Sequence, residues 1–148
     1  MDTRLLQRAF SRFHLAVYLN SGGQFGHGLS GTSSLVLTTT GRRTGRPRRT
    51  VLVYARQGDD MVVVASNYGG DRPPAWLLNI RTQARVEVLV ARRRTTAAAR
   101  EVTADDPRYP ALWALVNAHN HDRYTEHQRS TARSISLVVI TPDAASVV

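Results

Sequence analysis

The run Thr38 to Tyr54, TTTGRRTGRPRRTVLVY, holds the densest chemistry in the chain. Arg42, Arg43, Arg46, Arg48 and Arg49 place five guanidinium groups within eight residues, around Gly41 and Gly45. Like charges this close repel one another, and an anion seated among them would relieve the repulsion. The two glycines let the backbone turn sharply and bring N–H groups toward a ligand. Thr38, Thr39, Thr40 and Thr44 add hydroxyl donors. A phosphate cradle on a β-turn and a solvated basic hairpin tip fit these residue types equally. The run is not a Walker loop, because the lysine and the G-x-x-x-x-G-K spacing are missing.

Three further groups carry candidate chemistry. Ala65-Ser66-Asn67 lies where a strand meets a glycine loop, a place where N–H groups and a hydroxyl can meet a ligand. Ser66 lacks the G-x-S-x-G surroundings of a hydrolytic nucleophile. His119, His121 and His127, with Asp122 and Glu126, have no clear metal-ligand spacing, so a polar pocket rim explains them better. On a helix, His121, Tyr124 and His127 would share one face able to line a pocket. Trp76 reads as core, and Asn79 on the same short helix is a candidate if it faces the same glycine loop. Gly26-His27-Gly28-Leu29-Ser30-Gly31 matches G-x-G-x-x-G, but a helix precedes it and a strand follows, the reverse of a dinucleotide site.

The elements that must position these groups follow from composition and periodicity. The 148 residues suit one domain, 1–148, and a hydrophobic fraction of 42% excludes disorder. No apolar run reaches membrane-spanning length, and no secretory pattern opens the chain. With no cysteine, disulfides and thiolate metal sites are excluded. A cytoplasmic protein is expected. The net charge is +9 and all 20 basic residues are arginine, which favours polyanionic partners.

Residues 1–20 contain an expected amphipathic helix, with Leu6, Phe10, Phe13 and Val17 on one face and Arg4, Arg8 and Arg12 on another. Packing on the domain is its simplest role. Peripheral contact with the inner face of the plasma membrane is the sharper one. Residues 21–33 are a Gly/Ser-rich loop. Strands are expected at 35–39, 48–57 and 61–66, forming an antiparallel meander, then at 85–91, 95–103 and 135–140. Helices are expected at 74–81 and from Asp106-Pro107 to about 118. Without a βαβ alternation, these elements predict a mainly β, α+β domain: a small barrel of about six mostly antiparallel strands with flanking helices. Nothing in the sequence fixes an oligomeric state.

Three segments then carry a resemblance. Leu37 to Arg48, LTTTGRRTGRPR, resembles the signature of the deazaflavin-dependent nitroreductase and quinone reductase family, actinobacterial proteins that use coenzyme F420. Gly58-Asp59 with Val62 to Ser66 resembles the family's third strand. Pro74 to Ile80 with Val86 to Val88 resembles its P-x-W-x-x-N-L helix and the strand after it. Together they cover roughly residues 34–140. The resemblance implies an FMN-binding split-barrel-like fold and a reductase taking a hydride from reduced F420. This coenzyme carries a phosphodiester and a polyglutamate tail. By the resemblance, Arg42, Arg43, Thr44, Gly45 and Arg48 hold the phosphate and tail. The backbone around Val51, with Ala65, Ser66 and Asn67, lines the deazaflavin, and Ala75, Trp76 and Asn79 close the site.

The chain departs from the family at Arg43, where lysine is frequent, and at Asn67-Tyr68-Gly69-Gly70, where Lys-Gly-Gly is frequent. His121 and His127 stand where tyrosines are usual. The expected acceptors are quinones, nitroaromatics and activated enones. Ser66 is the expected hydrogen-bonding group near the ring, and Tyr124 orients the acceptor or supplies a proton. His121, Tyr124 and His127 form the expected acceptor wall, with the histidines as alternative proton donors near neutral pH. The rival readings are a split-barrel protein for FMN, FAD or haem, a nonenzymatic F420 or lipid carrier, and an arginine-rich nucleic-acid binder. The last lacks interleaved base-stacking aromatics, so no nucleic-acid partner is expected.

Overall fold

A computed structural model describes residues 33–144. The expected helix at 1–20 and the loop at 21–33 lie outside the described residues, apart from Ser33. Seven strands form one antiparallel sheet: β1 (Ser34–Thr40), β2 (Pro47–Val53), β3 (Ala55–Gln57), β4 (Asp60–Val64), β5 (Arg85–Val90), β6 (Arg93–Val102) and β7 (Leu137–Pro142). Among the described residues three α-helices accompany it: α1 (Ala75–Thr82), α2 (Tyr109–His119) and α3 (Arg123–Arg129).

The strand order is β2-β1-β5-β6-β7-β4-β3. Chain neighbours β2 and β3 therefore lie at opposite edges. Laid flat, at about 4.8 Å per strand, those edges would stand about 29 Å apart. Tyr54 alone joins them, so the sheet has to curl into a split barrel. Tyr54 donates its N–H to Ser33 at 3.1 Å and buries its ring in the core. The expected strand at 48–57 is thus two strands broken at Tyr54, and the expected meander of three is two hairpins on opposite edges. Hydrophobicity marked the whole run as extended but carried no sign of the break.

Alternation along the strands separates two cores. Leu35, Leu37, Met61, Val63, Val88, Val138 and Ile140 point inside the curl, where Trp76, Leu77 and Ile80 of α1 close one end. Val62, Val64, Leu137 and Val139 point outward and are covered by Leu112 and Val116 of α2 and Tyr124 of α3. Both faces of β4 and β7 are therefore buried, which explains their unbroken apolar runs MVVV and LVVI. Fully burying a side chain such as Leu112 contributes about 1.5–3 kcal/mol.

α3 falls in the stretch 117–131, which the sequence marked only as polar. His121 and Asp122 precede it with left-handed φ values of 53° and 59°. His121 therefore does not share a helix face with Tyr124 and His127.

Candidate functional site

The β1–β2 hairpin carries the arginine loop. Its register pairs Thr39 with Arg48 and Leu37 with Thr50. Alternation then turns Arg48, Thr50 and Leu52 toward the inside and Val51 to the opposite face, beside Val36. The loop closes on itself. Gly41 donates to Arg46 at 2.8 Å, Gly45 to Gly41 at 2.8 Å, and Arg46 to the Thr44 hydroxyl at 3.2 Å. Gly45 supplies the positive φ of 72° that the turn needs. These N–H groups are taken up inside the loop, contrary to the expectation that they would face a ligand. The capacity to hold an anion lies in the guanidiniums.

Asn79 fixes where those guanidiniums stand. It is 3% exposed. Its carbonyl oxygen accepts the Arg42 N–H at 3.0 Å and its amide donates to the Thr39 hydroxyl at 3.0 Å. One side chain of α1 thereby ties the last inward hydroxyl of β1 to the first arginine of the loop. A buried amide satisfied at both ends is rigid, and losing either bond leaves a buried polar group unpaired.

The opposite wall begins where β4 ends. Asn67, Tyr68 and Gly69 take consecutive left-handed φ values of 46°, 56° and 78°. For Tyr68 this conformation carries strain and persists only when neighbours impose it, whereas asparagine tolerates it. The neighbours come from α3 and the segment after it. Arg133 donates to Gly70 O at 2.9 Å, to Ser66 O at 2.8 Å and to Ala65 O at 3.3 Å. His127 Nδ1 and Ser66 Oγ are hydrogen-bonded at 3.0 Å. A Cβ on Gly69 would stand 2.8 Å from His127 O and 2.9 Å from Ser130 Cβ, so no larger residue fits there. The Asn67 amide donates to Arg72 O at 3.0 Å and closes the turn.

Between these walls opens a cleft of about 1040 Å³. Its lining carries five arginines, Arg42, Arg43, Arg48, Arg49 and Arg72, against the single acid Asp71. Arg81, Arg85, Arg94 and Arg108 each pair with a carboxylate elsewhere on the surface. None of the five cleft arginines has such a pair among the described residues. The cleft is therefore electropositive and suited to a multiply anionic molecule of cofactor size.

Burial shapes the titrating groups behind the second wall. It pushes the His127 imidazole below its ordinary value, with Arg123 adding to the effect and Glu126 opposing it. The imidazole is thus mainly neutral at pH 7. Burial also pushes the Tyr124 hydroxyl up to about 12, against the lowering effect of a hydrogen bond with Asn120. The two rings meet edge to face at 5.9 Å.

Of the residues expected at a site, Arg42, Arg43, Thr44, Arg48, Asn67, Ala75, Trp76 and Asn79 line this one cleft. Gly45 shapes the hairpin behind it. Ala65 and Ser66 lie buried beneath the second wall, Ser66 against His127. Tyr124 sits in the second core at 7% exposure, and His121 is exposed at the turn before α3. Thr50 lines the cleft where Val51 does not. Tyr68, Arg72 and Ser130 also line it without having been expected to, and Arg133 was missed altogether. The strand alternation held a signal for Thr50. Arg133 had none, since only the tertiary fold brings it to Ala65 and Gly70.

Comparison with known proteins places the chain in a family. The family model described as F420H(2)-dependent quinone reductase matches residues 10–142. The F420H(2)-dependent quinone reductase of Mycobacterium tuberculosis is 43% identical over 131 residues, covering 88% of each chain. Among solved structures, an F420-H2 dependent reductase (FDR-A) superposes with a TM-score of 0.65 at 25% identity, covering 72% of this chain and 92% of that one. A structure described as a domain-swapped dimer superposes with a TM-score of 0.68 at 25% identity, covering 87% and 95%. On the family match and the mycobacterial relative, the chain belongs to the F420H(2)-dependent quinone reductase family, oxidoreductases whose cofactor is coenzyme F420.

Proposed function

We propose that this chain reduces a quinone with F420H2 bound in the cleft between the arginine hairpin and the Ser66–Gly70 loop. The observation that carries this reading is the set of five cleft arginines with no acid partner among the described residues. They match the phosphodiester and glutamate carboxylates of the coenzyme in charge, and guanidinium can grip either in a fork.

Bound F420H2 supplies a hydride and a proton, which together convert a quinone to its quinol. The protein's part is to bind, orient and manage the proton. Arg42, Arg43 and Arg48 hold the phosphate and tail, and Asn79 keeps the hairpin in place for them. Thr44 adds a hydroxyl, and Gly45 sets the turn. Thr50 and the backbone at Val51 would border the redox ring. Asn67 would form its other border, backed by the buried Ala65 and Ser66, and Ala75 and Trp76 would close the end. Ser66 Oγ is the proposed hydrogen-bond group at the reacting centre. With the His127 Nδ1–H donating to Ser66 Oγ, the serine hydroxyl is released to donate to an acceptor oxygen. With the other tautomer, the serine proton points back at the imidazole. His127 therefore sets which way the hydroxyl points. Tyr124 acts through His127, on whose ring it packs. His121, exposed at the turn before α3, is proposed at the rim of the acceptor entrance.

A quinone dissolved in a membrane would bring the chain to that surface. Arg4, Arg8 and Arg12 are the proposed contact, tested by co-sedimentation with anionic and neutral vesicles. No helix among the described residues is long and apolar enough to cross a membrane.

Parallel titrations with F420, FMN and FAD test the central reading, followed by turnover of reduced F420 with a naphthoquinone and a nitroaromatic. F420 is expected to bind at micromolar concentration or tighter, more weakly as salt rises. Tighter FMN binding would sink the assignment of the cleft. F420 binding without turnover would make the chain a carrier.

A further inference from the structure

We propose that Tyr68 is a specificity-determining residue of the acceptor site, an aromatic platform held out into the cleft for a planar bicyclic quinone to stack on. The inference rests on the reading of the cleft as the F420 site and deepens it.

Three observations converge on Tyr68. It is the only exposed large hydrophobic side chain among the described residues, at 49% exposure. The wall it stands on belongs to the cleft. Its backbone is left-handed, φ 56° and ψ 28°, a conformation that a bulky residue adopts at a cost of order 1–3 kcal/mol. Glycine or asparagine would hold the same turn with less strain. A tyrosine kept in such a place contributes something that the turn itself does not need.

The surroundings supply the device. Arg133 and the close approach of Gly69 to His127 and Ser130 leave the turn little freedom to relax. The Tyr68 ring meets the His127 ring edge to face at 6.2 Å. His127 in turn meets Tyr124 and is hydrogen-bonded to Ser66. The aromatic series Tyr124, His127, Tyr68 therefore runs from the second core outward and reaches the cleft at Tyr68. Polyanionic groups belong to the five arginines. An uncharged aromatic face is the complementary surface for an uncharged, flat acceptor, and offset stacking of this kind is worth about 0.5–1.5 kcal/mol.

The test uses the full chain and three variants. Tyr68→Phe keeps the face, while Tyr68→Asn and Tyr68→Gly remove it and suit the left-handed backbone. Each is assayed for F420 affinity by fluorescence, for KM and kcat with menadione and reduced F420, and for stability by urea denaturation. Tyr68→Asn and Tyr68→Gly are expected to raise the menadione KM roughly three- to tenfold. F420 affinity should stay within about twofold and stability should be equal or higher. Tyr68→Phe should match the parent. An unchanged KM in the Asn and Gly variants overturns the proposal. So does an F420 affinity that weakens in step with KM, because Tyr68 would then serve the coenzyme. If the parent chain fails to bind F420, the cleft assignment falls first and the platform with it.

Discussion

The arginine hairpin and the Ser66–Gly70 loop face the same cleft and are held in opposite ways. Arg42, Arg43 and Arg48 of the hairpin are exposed and lack acid partners among the described residues. The hairpin itself is tied to the domain through Asn79. The second loop is strained, largely buried behind its surface, and gripped by His127, Ser130 and Arg133. On the proposed function, a wall that grips a flexible anionic tail can leave its charges solvated. A wall that must present a ring and a hydroxyl at fixed positions cannot, because small displacements there cost rate. Substitutions in the hairpin should therefore cost binding, and substitutions at the packed position of the second loop, Gly69, should cost stability.

Gly69→Ala gives the largest test of that contrast. Its new methyl group would press on His127 and Ser130 from a left-handed backbone, and a loss of roughly 2–4 kcal/mol is expected. Urea denaturation measures it, and a loss below about 1 kcal/mol would show that the loop is free to slide off α3. Asn79→Ala joins the two kinds of wall. It should lower stability by roughly 1–3 kcal/mol and weaken F420 binding several-fold, since the hairpin loses its tie. Unchanged binding would separate the tie from the site.

The double variant Arg42→Ala and Arg48→Ala should weaken F420 binding about tenfold at low salt and flatten its salt dependence. Its stability should move by no more than about 0.5 kcal/mol. A large stability loss would put these arginines in the same class as Arg133 and erase the contrast. The smallest effect belongs to His127. Its folded pKa lies below the ordinary 6.5, so the unfolded chain takes up this proton first as pH falls. Its contribution to stability is whole above that value and is lost as pH falls through it toward the folded value. Urea midpoints measured from pH 7.5 to 5 should show this dependence, weaker than one full proton, and His127→Asn should flatten it. An equal slope in the variant would assign the dependence to other groups.

The hairpin was the legible half of the molecule. Its glycines, threonines and arginines lie within one short run, and the short-range turn and the charge density both follow from neighbours in the chain. The strands were legible for the same reason, since period-two burial is local. The break at Tyr54 was not, because the chain is extended on both sides of it. Only the closure of the sheet separates β2 from β3. Tyr124 illustrates the other limit. Its spacing from His127 on a helix could be read, but whether that face met a cleft or a core depended on where α3 docked.

By itself, the sequence determined the charge of the site, the hairpin that carries it, the helix bearing Trp76 and Asn79, and the resemblance that led to the coenzyme. The tertiary structure decided the second wall. Arg133 reaches the carbonyls of Ala65, Ser66 and Gly70 across more than sixty residues of chain. That contact keeps Tyr68 in a conformation that its own side chain disfavours. Local preference is set by neighbours in sequence. Strain of this kind exists only where distant elements pack tightly enough to impose it.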